Sequence, residues 1–428
     1  MTDSAAPSSS SLVEQRLSRL RRRHAADRLF RLYGISAIIL TVLILILLLG
    51  SIVYGSLPAF SRTEIRLDVR VDTAVSSSES RGSYQKLVRG ALHDLFPEVE
   101  GRREHRQLNR LISAGAGQTL RNALEDTPVT PGDTITVWVA ASADVDTYVK
   151  GLVDSTVPEA NRRLDDQSLD WVKKLQTDGR IQTVFNTAFF VNGDSREPEQ
   201  AGIRGAVMGS LLMLLVTLLL AVPIGIPAAV WLEEFAPRNR WTDLLEVNIS
   251  NLAAVPSIVF GLLGLAVFIG FFGLPRSTPL VGGMVLALMT LPVIIITTRA
   301  ALRSVSPSIR EAAFGVGASR LQAVLHHIAP AAMTGILTGV ILGMAQALGE
   351  TAPLLMVGMV AFIADTPSSI IEPATVMPVQ IFLWADSPER AFTAKTNAAI
   401  LCLLVFLIAM NGLAIFLRQR FERFGKIN

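Results

Sequence analysis

Between Ile328 and Ala364 a single residue carries charge, Glu350. A carboxylate inside so apolar a run costs roughly 2.5–3.5 kcal/mol on insertion scales, so it must be paired or line a watery cavity. Two chemistries suit it. It can hold an arginine in place, such as Arg299 or one from another chain, or it can donate a hydrogen bond to an anion when protonated. Gln346, four residues earlier, sits beside it if the helix persists. Pro353 is expected to end or kink that helix. Upstream, Gly335, Gly339 and Gly343 recur every four residues. Such a small-residue ridge lets another helix approach closely. A plain structural ion pair remains the alternative for Glu350.

The second constellation is a polar, helix-prone island between two apolar runs, Arg310 to Pro330, REAAFGVGASRLQAVLHHIAP. Ser306-Pro307 reads as a helix start, because serine can cap and proline fits the first helical position. Ser308 and Glu311 also fit a capping box, which is the bland reading of Glu311. The helix is expected over Pro307–Phe314, loosening at Gly315 and Gly317 and restarting toward His326. His326 and His327 are adjacent, so they point apart on a helix and make no chelating pair. The polar segment 62–204 shows no metal-ligand spacing, nucleophile motif or glycine-rich phosphate loop. The only Gly-Lys, Gly425-Lys426, is followed by Ile, which is no Walker A pattern. The chain is thus expected to bind no metal or cofactor itself and to catalyse no bond chemistry.

The elements that must position these residues follow from composition. Of 428 residues, 50% are hydrophobic and 18% charged, against roughly 25% charged in soluble domains. A helix needs about 20 residues to cross a hydrocarbon core of about 30 Å. Six charge-free runs reach that length: Leu32–Ser61, Gly205–Leu232, Val247–Leu274, Ser277–Thr298, Ile328–Gly349 and Thr396–Leu417. Spanning segments must satisfy their own backbone, which makes them helices. The first run is too long for a signal-peptide core and is kept as a span. The lone cysteine, Cys402, lies in the last run and reads as a small hydrophobe.

Net charge is only +3, but its placement is informative. Seven arginines from Arg16 to Arg31 precede the first run, and Arg418, Arg420, Arg423 and Lys426 follow the last. Arg238 and Arg240 follow the second, while Arg299, Arg303, Arg310 and Arg320 follow the fourth. The positive-inside rule puts both termini and these loops in the cytoplasm, which six spans satisfy. The expected division is a basic cytoplasmic tail (1–31, with 1–15 disordered), a first span (32–61), an extracytoplasmic domain (62–204), a core with spans two to six (205–420) carrying the cytoplasmic loop (306–330), and a short cytoplasmic tail (421–428). Within 62–204, Glu64–Val71 and Thr134–Ala141 read as strands and Ser83–Phe96 and Val157–Lys174 as helices. A small α+β domain is expected there, with no site of its own. Ala364–Lys395 reads as a loop or short interfacial helix.

Glu311-Ala312-Ala313, Gly317 and Pro330 together resemble the EAA loop of ABC-importer permeases. The stretch from Leu291 to Val357, with Gly349-Glu350-Thr351-Ala352-Pro353, resembles more narrowly the PstA-type permeases of phosphate importers. VPIGIPAAVWLEEFAP (222–237) and NLAAVPSIVFGLLGL (251–265) are similar to that family as well. The resemblance covers about Ala201 to Arg420. The sequence departs from it at His327-Ile328-Ala329-Pro330, where the pattern ends in I-x-L-P. Gln346 and Ile296 stand where many relatives carry arginine, leaving Arg299 as a possible substitute for the latter.

The resemblance implies an all-α importer-permease fold of six spans with an extra domain after the first, in a bacterial inner membrane. It implies that Arg310, Glu311, Ala312, Ala313 and Gly317 couple the chain to a separate ATPase, which holds ATP-Mg. It places Glu350, Gln346 and Arg299 on the translocation pathway or at a subunit pairing, and gives Gly335, Gly339 and Gly343 to helix packing. The implied partners are a homologous PstC-like permease, two PstB-like ATPase subunits, a PstS-like extracytoplasmic phosphate-binding protein and membrane lipid, with no nucleic acid. Alternatives are a permease for sulfate or molybdate, and a membrane sensor acting through its outer domain.

Overall fold

The computed structural model describes residues 9–71, 81–126, 132–152, 158–159, 162–360 and 362–425. The chain forms two compact units, residues 1–55 and 56–428. The first is a single helix, α1, Ser9–Ser56. It already includes part of the serine-rich start expected to be disordered; residues 1–8 lie outside the described residues.

The second unit begins with a sheet. Strand β1 (Ser61–Arg70) is central, with β2 (Thr134–Ala140) and β3 (Ile181–Phe185) antiparallel on either side. Ile65 pairs with both Val139 and Ile181. Along β1, Ile65, Leu67 and Val69 are buried while Asp68 and Arg70 are exposed. That period of two turns one face into a core. The core is filled by α2 (Arg81–Asp94), α4 (Ala116–Asp126) and α6 (Asp166–Thr177) through Val88, Leu92, Leu120, Trp171 and Leu175. Short helices α3 (Arg102–Leu108), α5 (Ala143–Val149) and α7 (Thr187–Val191) complete the segment. The helix expected over Val157–Lys174 begins at Asp166 instead, where Asp165 accepts from the Ser168 amide and caps it. Residues 157, 160 and 161 of that expectation lie outside the described residues.

The remainder is helical. Helix α8 (Arg204–Val230) continues as a π-helical turn, Trp231–Phe235. Then come α9 (Arg240–Ala253) and α10 (Ser257–Leu263), the latter running on in π form over Gly264–Phe271. Helices α11 (Pro279–Arg303), α12 (Pro307–Gly315) and α13 (Arg320–Ala323) follow. A π turn at Val324–Ile328 leads into α14 (Ala329–Gly349), then α15 (Ala352–Met356), α16 (Met377–Ala385) and α17 (Ala391–Gly425).

Among the described residues, five helices are long and apolar enough to cross a membrane, or six if one bent pair counts as a span. That pair corrects the third expected run. Val247–Leu274 is not one helix, because Arg240–Ala253 and Ser257–Phe271 meet at 102°. Pro256 sits in the break, and a proline disfavours helical geometry in the residue before it. Helices α8, α11 and α14 form the centre. Met213, Val285, Leu286, Met344 and Leu348 share one buried cluster. A Cβ on Gly283 of α11 would lie 2.6 Å from Val216 Cβ on α8, so glycine sets how near these two helices come.

Candidate functional site

The loop between α11 and α14 is built by two local devices. Gly317 takes φ +85°, a region in which only glycine sits without strain. The Ala318 amide donates to the Ala313 carbonyl at 3.0 Å and the Gly317 amide to the Phe314 carbonyl at 2.9 Å. This is the Schellman arrangement that ends a helix, and it explains why glycine follows Glu311 at that distance. The next helix opens with a capping box in which Ser319 and Gln322 exchange backbone and side-chain bonds. The box expected at Ser308 and Glu311 does not form. Ser306 occupies the cap position without a side-chain cap bond, and its hydroxyl meets that of Ser308 at 2.8 Å.

The loop residues divide by face. On α12, Ala313 is buried and Arg310 half-buried, whereas Glu311, Ala312 and Phe314 are exposed. Val316 just beyond is 84% exposed. Glu311 makes no side-chain hydrogen bond or ion pair among the described residues. Arg310 turns inward, and its Nη2 donates to Glu234 Oε1 at 2.5 Å. Glu234 is only 5% exposed, in the π turn that ends α8. His326 bonds through Nδ1 to the Gln322 carbonyl at 3.2 Å, the ordinary satisfaction of an exposed histidine.

Glu233, next to Glu234, serves a different element. Arg303 Nε donates to both of its oxygens, at 2.8 and 2.9 Å, and Arg299 Nε to Oε2 at 3.2 Å. Arg299 Nη2 also donates to Glu246 Oε1 on α9 at 2.5 Å. The Arg320 guanidinium stands 5.6 Å over the Phe235 ring. The end of α8 is therefore a hub joined to α9, α11, α12 and α13. Sequence reasoning missed Glu233, Glu234 and Glu246, although a signal was present. Adjacent acids end one apolar run, and four arginines cluster beyond the end of another.

Glu350 departs from expectation. Helix α14 stops at Gly349, and Glu350 is its extended C-cap residue (φ −77°, ψ 124°). The helix thus ends four residues before Pro353, which instead is the second residue of α15. Glu350 is half-buried and Gln346 exposed. Its proposed partner within the chain is taken, since Arg299 pairs with Glu233 and Glu246. The glycine ridge faces α11. A Cβ on Gly335 would lie 2.5 Å from Ala301 Cβ and one on Gly339 2.6 Å from Thr297 Cβ, whereas one on Gly343 would find nothing nearer than Ile294 Cγ1 at 3.5 Å.

Where the sheet segment meets the helices, buried cations rest mostly on backbone oxygens. Lys150 Nζ donates to the carbonyls of Pro58 (2.7 Å) and Ser61 (2.6 Å) and to Asp146 Oδ2 (2.5 Å). Burial pushes its ammonium below the usual lysine value, with Asp146 pulling the other way. Lys395, 5% exposed, donates to the Ala201 carbonyl. No group of three metal-ligating side chains exists among the described residues.

Residues 221–423 match the family described as binding-protein-dependent transport system inner membrane component, and residues 17–159 match a domain of unknown function, DUF3333. A probable ABC transporter permease, YqgI of Bacillus subtilis, is 32% identical over 50% of this chain and 77% of its own. The chain belongs to the ABC transporter permeases. The phosphate transport permease PstA of Xylella fastidiosa is 30% identical over 52% of this chain and 77% of its own. PstA 1 of Mycobacterium tuberculosis is 31% identical over 52% and 72%.

As an ABC permease, the chain is a multi-pass, non-enzymatic transport subunit that works with an ATPase and a binding protein. The permease match includes the π turn, α9 and the whole loop. The DUF3333 match holds most of α1, β1 and β2 but stops short of β3.

Proposed function

We propose that this chain is the permease subunit of an ATP-driven phosphate importer, moving inorganic phosphate into the cytoplasm by alternating access. The similarity to PstA permeases over more than seventy per cent of their length carries the reading. The exposed Glu311, Ala312 and Phe314 face of α12 supports it, as a surface suited to an ATPase groove. Arg310 and Ala313 seat the helix from beneath, and Gly317 ends it. The ATP-Mg belongs to that ATPase.

In this reading both termini and the loop at 306–330 are cytoplasmic, and residues 62–204 form an α+β extracytoplasmic domain between spans one and two. Residues 205–420 supply spans two to six, of which span three is bent. The partners are a PstC-like permease, two PstB-like ATPase subunits and a PstS-like phosphate-binding protein. Glu350 and Gln346, with Arg299 withdrawn from them, meet a cation of the partner permease at the pathway. Gly335, Gly339 and Gly343 keep α14 against α11.

Two measurements test the reading. Radiolabelled phosphate uptake by cells dependent on this chain should resist excess sulfate and molybdate; competition by either reassigns the cargo. An ATPase should co-purify with the chain and be lost on Glu311→Arg. Unchanged co-purification removes Glu311 from the docking surface.

A further inference from the structure

Docking moves α12, but transport requires the spans to move. Between them lies the pair Glu233–Glu234. In the π turn successive residues advance by less than in an α-helix, and the two adjacent carboxylates reach different elements. Glu234 reaches α12 through Arg310, and Glu233 reaches α11 through Arg299 and Arg303. Glu246 extends the same chain of charge to α9. Helices α8 and α11 already touch closely, with the Thr217 hydroxyl donating to the Gly283 carbonyl at 3.2 Å.

The link to α12 rests on a single hydrogen bond. Arg310 Nη2 makes one bond, while its buried Nε has no partner. A guanidinium fork facing a carboxylate can make two parallel bonds. The pair therefore holds an unused bond, available to a small rotation of α12. Glu234 would be left buried and unpaired if α12 moved away without it, which is strongly unfavourable. The rest of the hub is already tied on the α8 and α11 side, with Glu233 gripped by two arginines.

We propose that Glu233 and Glu234 are the positioning residues that transmit coupling-helix movement to the spans, Glu234 gripping α12 through Arg310 and Glu233 locking the end of α8 to α11. Arg310 then belongs to this internal joint, and the exposed Glu311 beside it to the partner surface. The inference rests on the ATPase-driven reading above, and deepens it by naming the path of force within this chain.

The experiment uses the complete complex in proteoliposomes and reads phosphate transported per ATP hydrolysed, with ATPase retention measured in the same sample. If wild type retains no ATPase, the ATPase-driven reading fails, whatever the variants do. With wild type coupled, Glu234→Gln should keep the ATPase and its hydrolysis while the transport-to-hydrolysis ratio falls about tenfold, the scale of one lost charged hydrogen bond. The charge-swapped double variant Glu234→Arg with Arg310→Glu should recover most of the ratio. An unchanged ratio in Glu234→Gln overturns the proposal, as does a fall that the swap leaves uncorrected. If Glu234→Gln fails to assemble, Arg310→Lys decides. It keeps the charge and loses the fork, so a lowered ratio supports the joint and an unchanged one overturns it.

Discussion

The two ends of the helical core hold their charges in different ways. At the loop end, arginines meet carboxylates side chain to side chain, with Arg303 59% and Arg310 37% exposed in their side chains. At the sheet end, Lys150 and Lys395 sink almost out of solvent and donate to carbonyls of Pro58, Ser61 and Ala201. A carbonyl belongs to the backbone and cannot swing to another partner, whereas a carboxylate on a flexible stem can. The sheet end is built to stay joined. The loop end is built from bonds that can be exchanged as elements shift.

Breaking the sheet-end anchor should have the largest effect on stability. Lys150→Met leaves Asp146 and two carbonyls without their cation, at a cost of about 3 kcal/mol. Thermal unfolding of the full chain in detergent should show it, and a cost no greater than that of a surface change would erase the contrast. Between the ends, the ridge on α14 sets how rigidly motion crosses the core. Gly339→Ala must push Thr297 aside and should cost about 2 kcal/mol. Gly343→Ala, with ordinary contact distance available, should stay within about 0.5 kcal/mol. Equal costs in the same unfolding assay would show that α11 and α14 yield to one another. A similarly small effect belongs to the exposed arginine. Arg303→Gln should cost roughly 0.5 kcal/mol at low salt and less at high salt, because exposed pairs are weak and screened. A salt-independent loss would place Arg303 with the buried anchors.

Legibility in the sequence followed the range of the forces involved. Strands β1 and β2 were visible from local alternation, within a few residues of their ends. The five residues of β3, Ile181–Phe185, are too short and too mixed in polarity to register. Apolar runs revealed the spans, yet hydropathy averages over Pro256 and so joined α9 to α10. The capping-box pattern occurs twice in the loop, at Ser308–Glu311 and at Ser319–Gln322. Ser306 takes the first cap position, so only the second box forms. Pairing was least legible. Arg299 looked free for Glu350 because nothing local announces that Glu233 and Glu246, more than fifty residues away, hold it instead.

The break at Pro256 has a consequence for the surrounding lipid. Beyond it, seven α-helical residues and eight in π form reach roughly 20 Å at the usual rise per residue. A hydrocarbon layer is about 30 Å thick. Ile258, Val259, Leu262 and Leu263 are all exposed along this short rod. Acyl chains touching it must compress, or a neighbouring protein surface must shield them. Where acyl chains touch it, the rod creates a hydrophobic mismatch that grows with bilayer thickness.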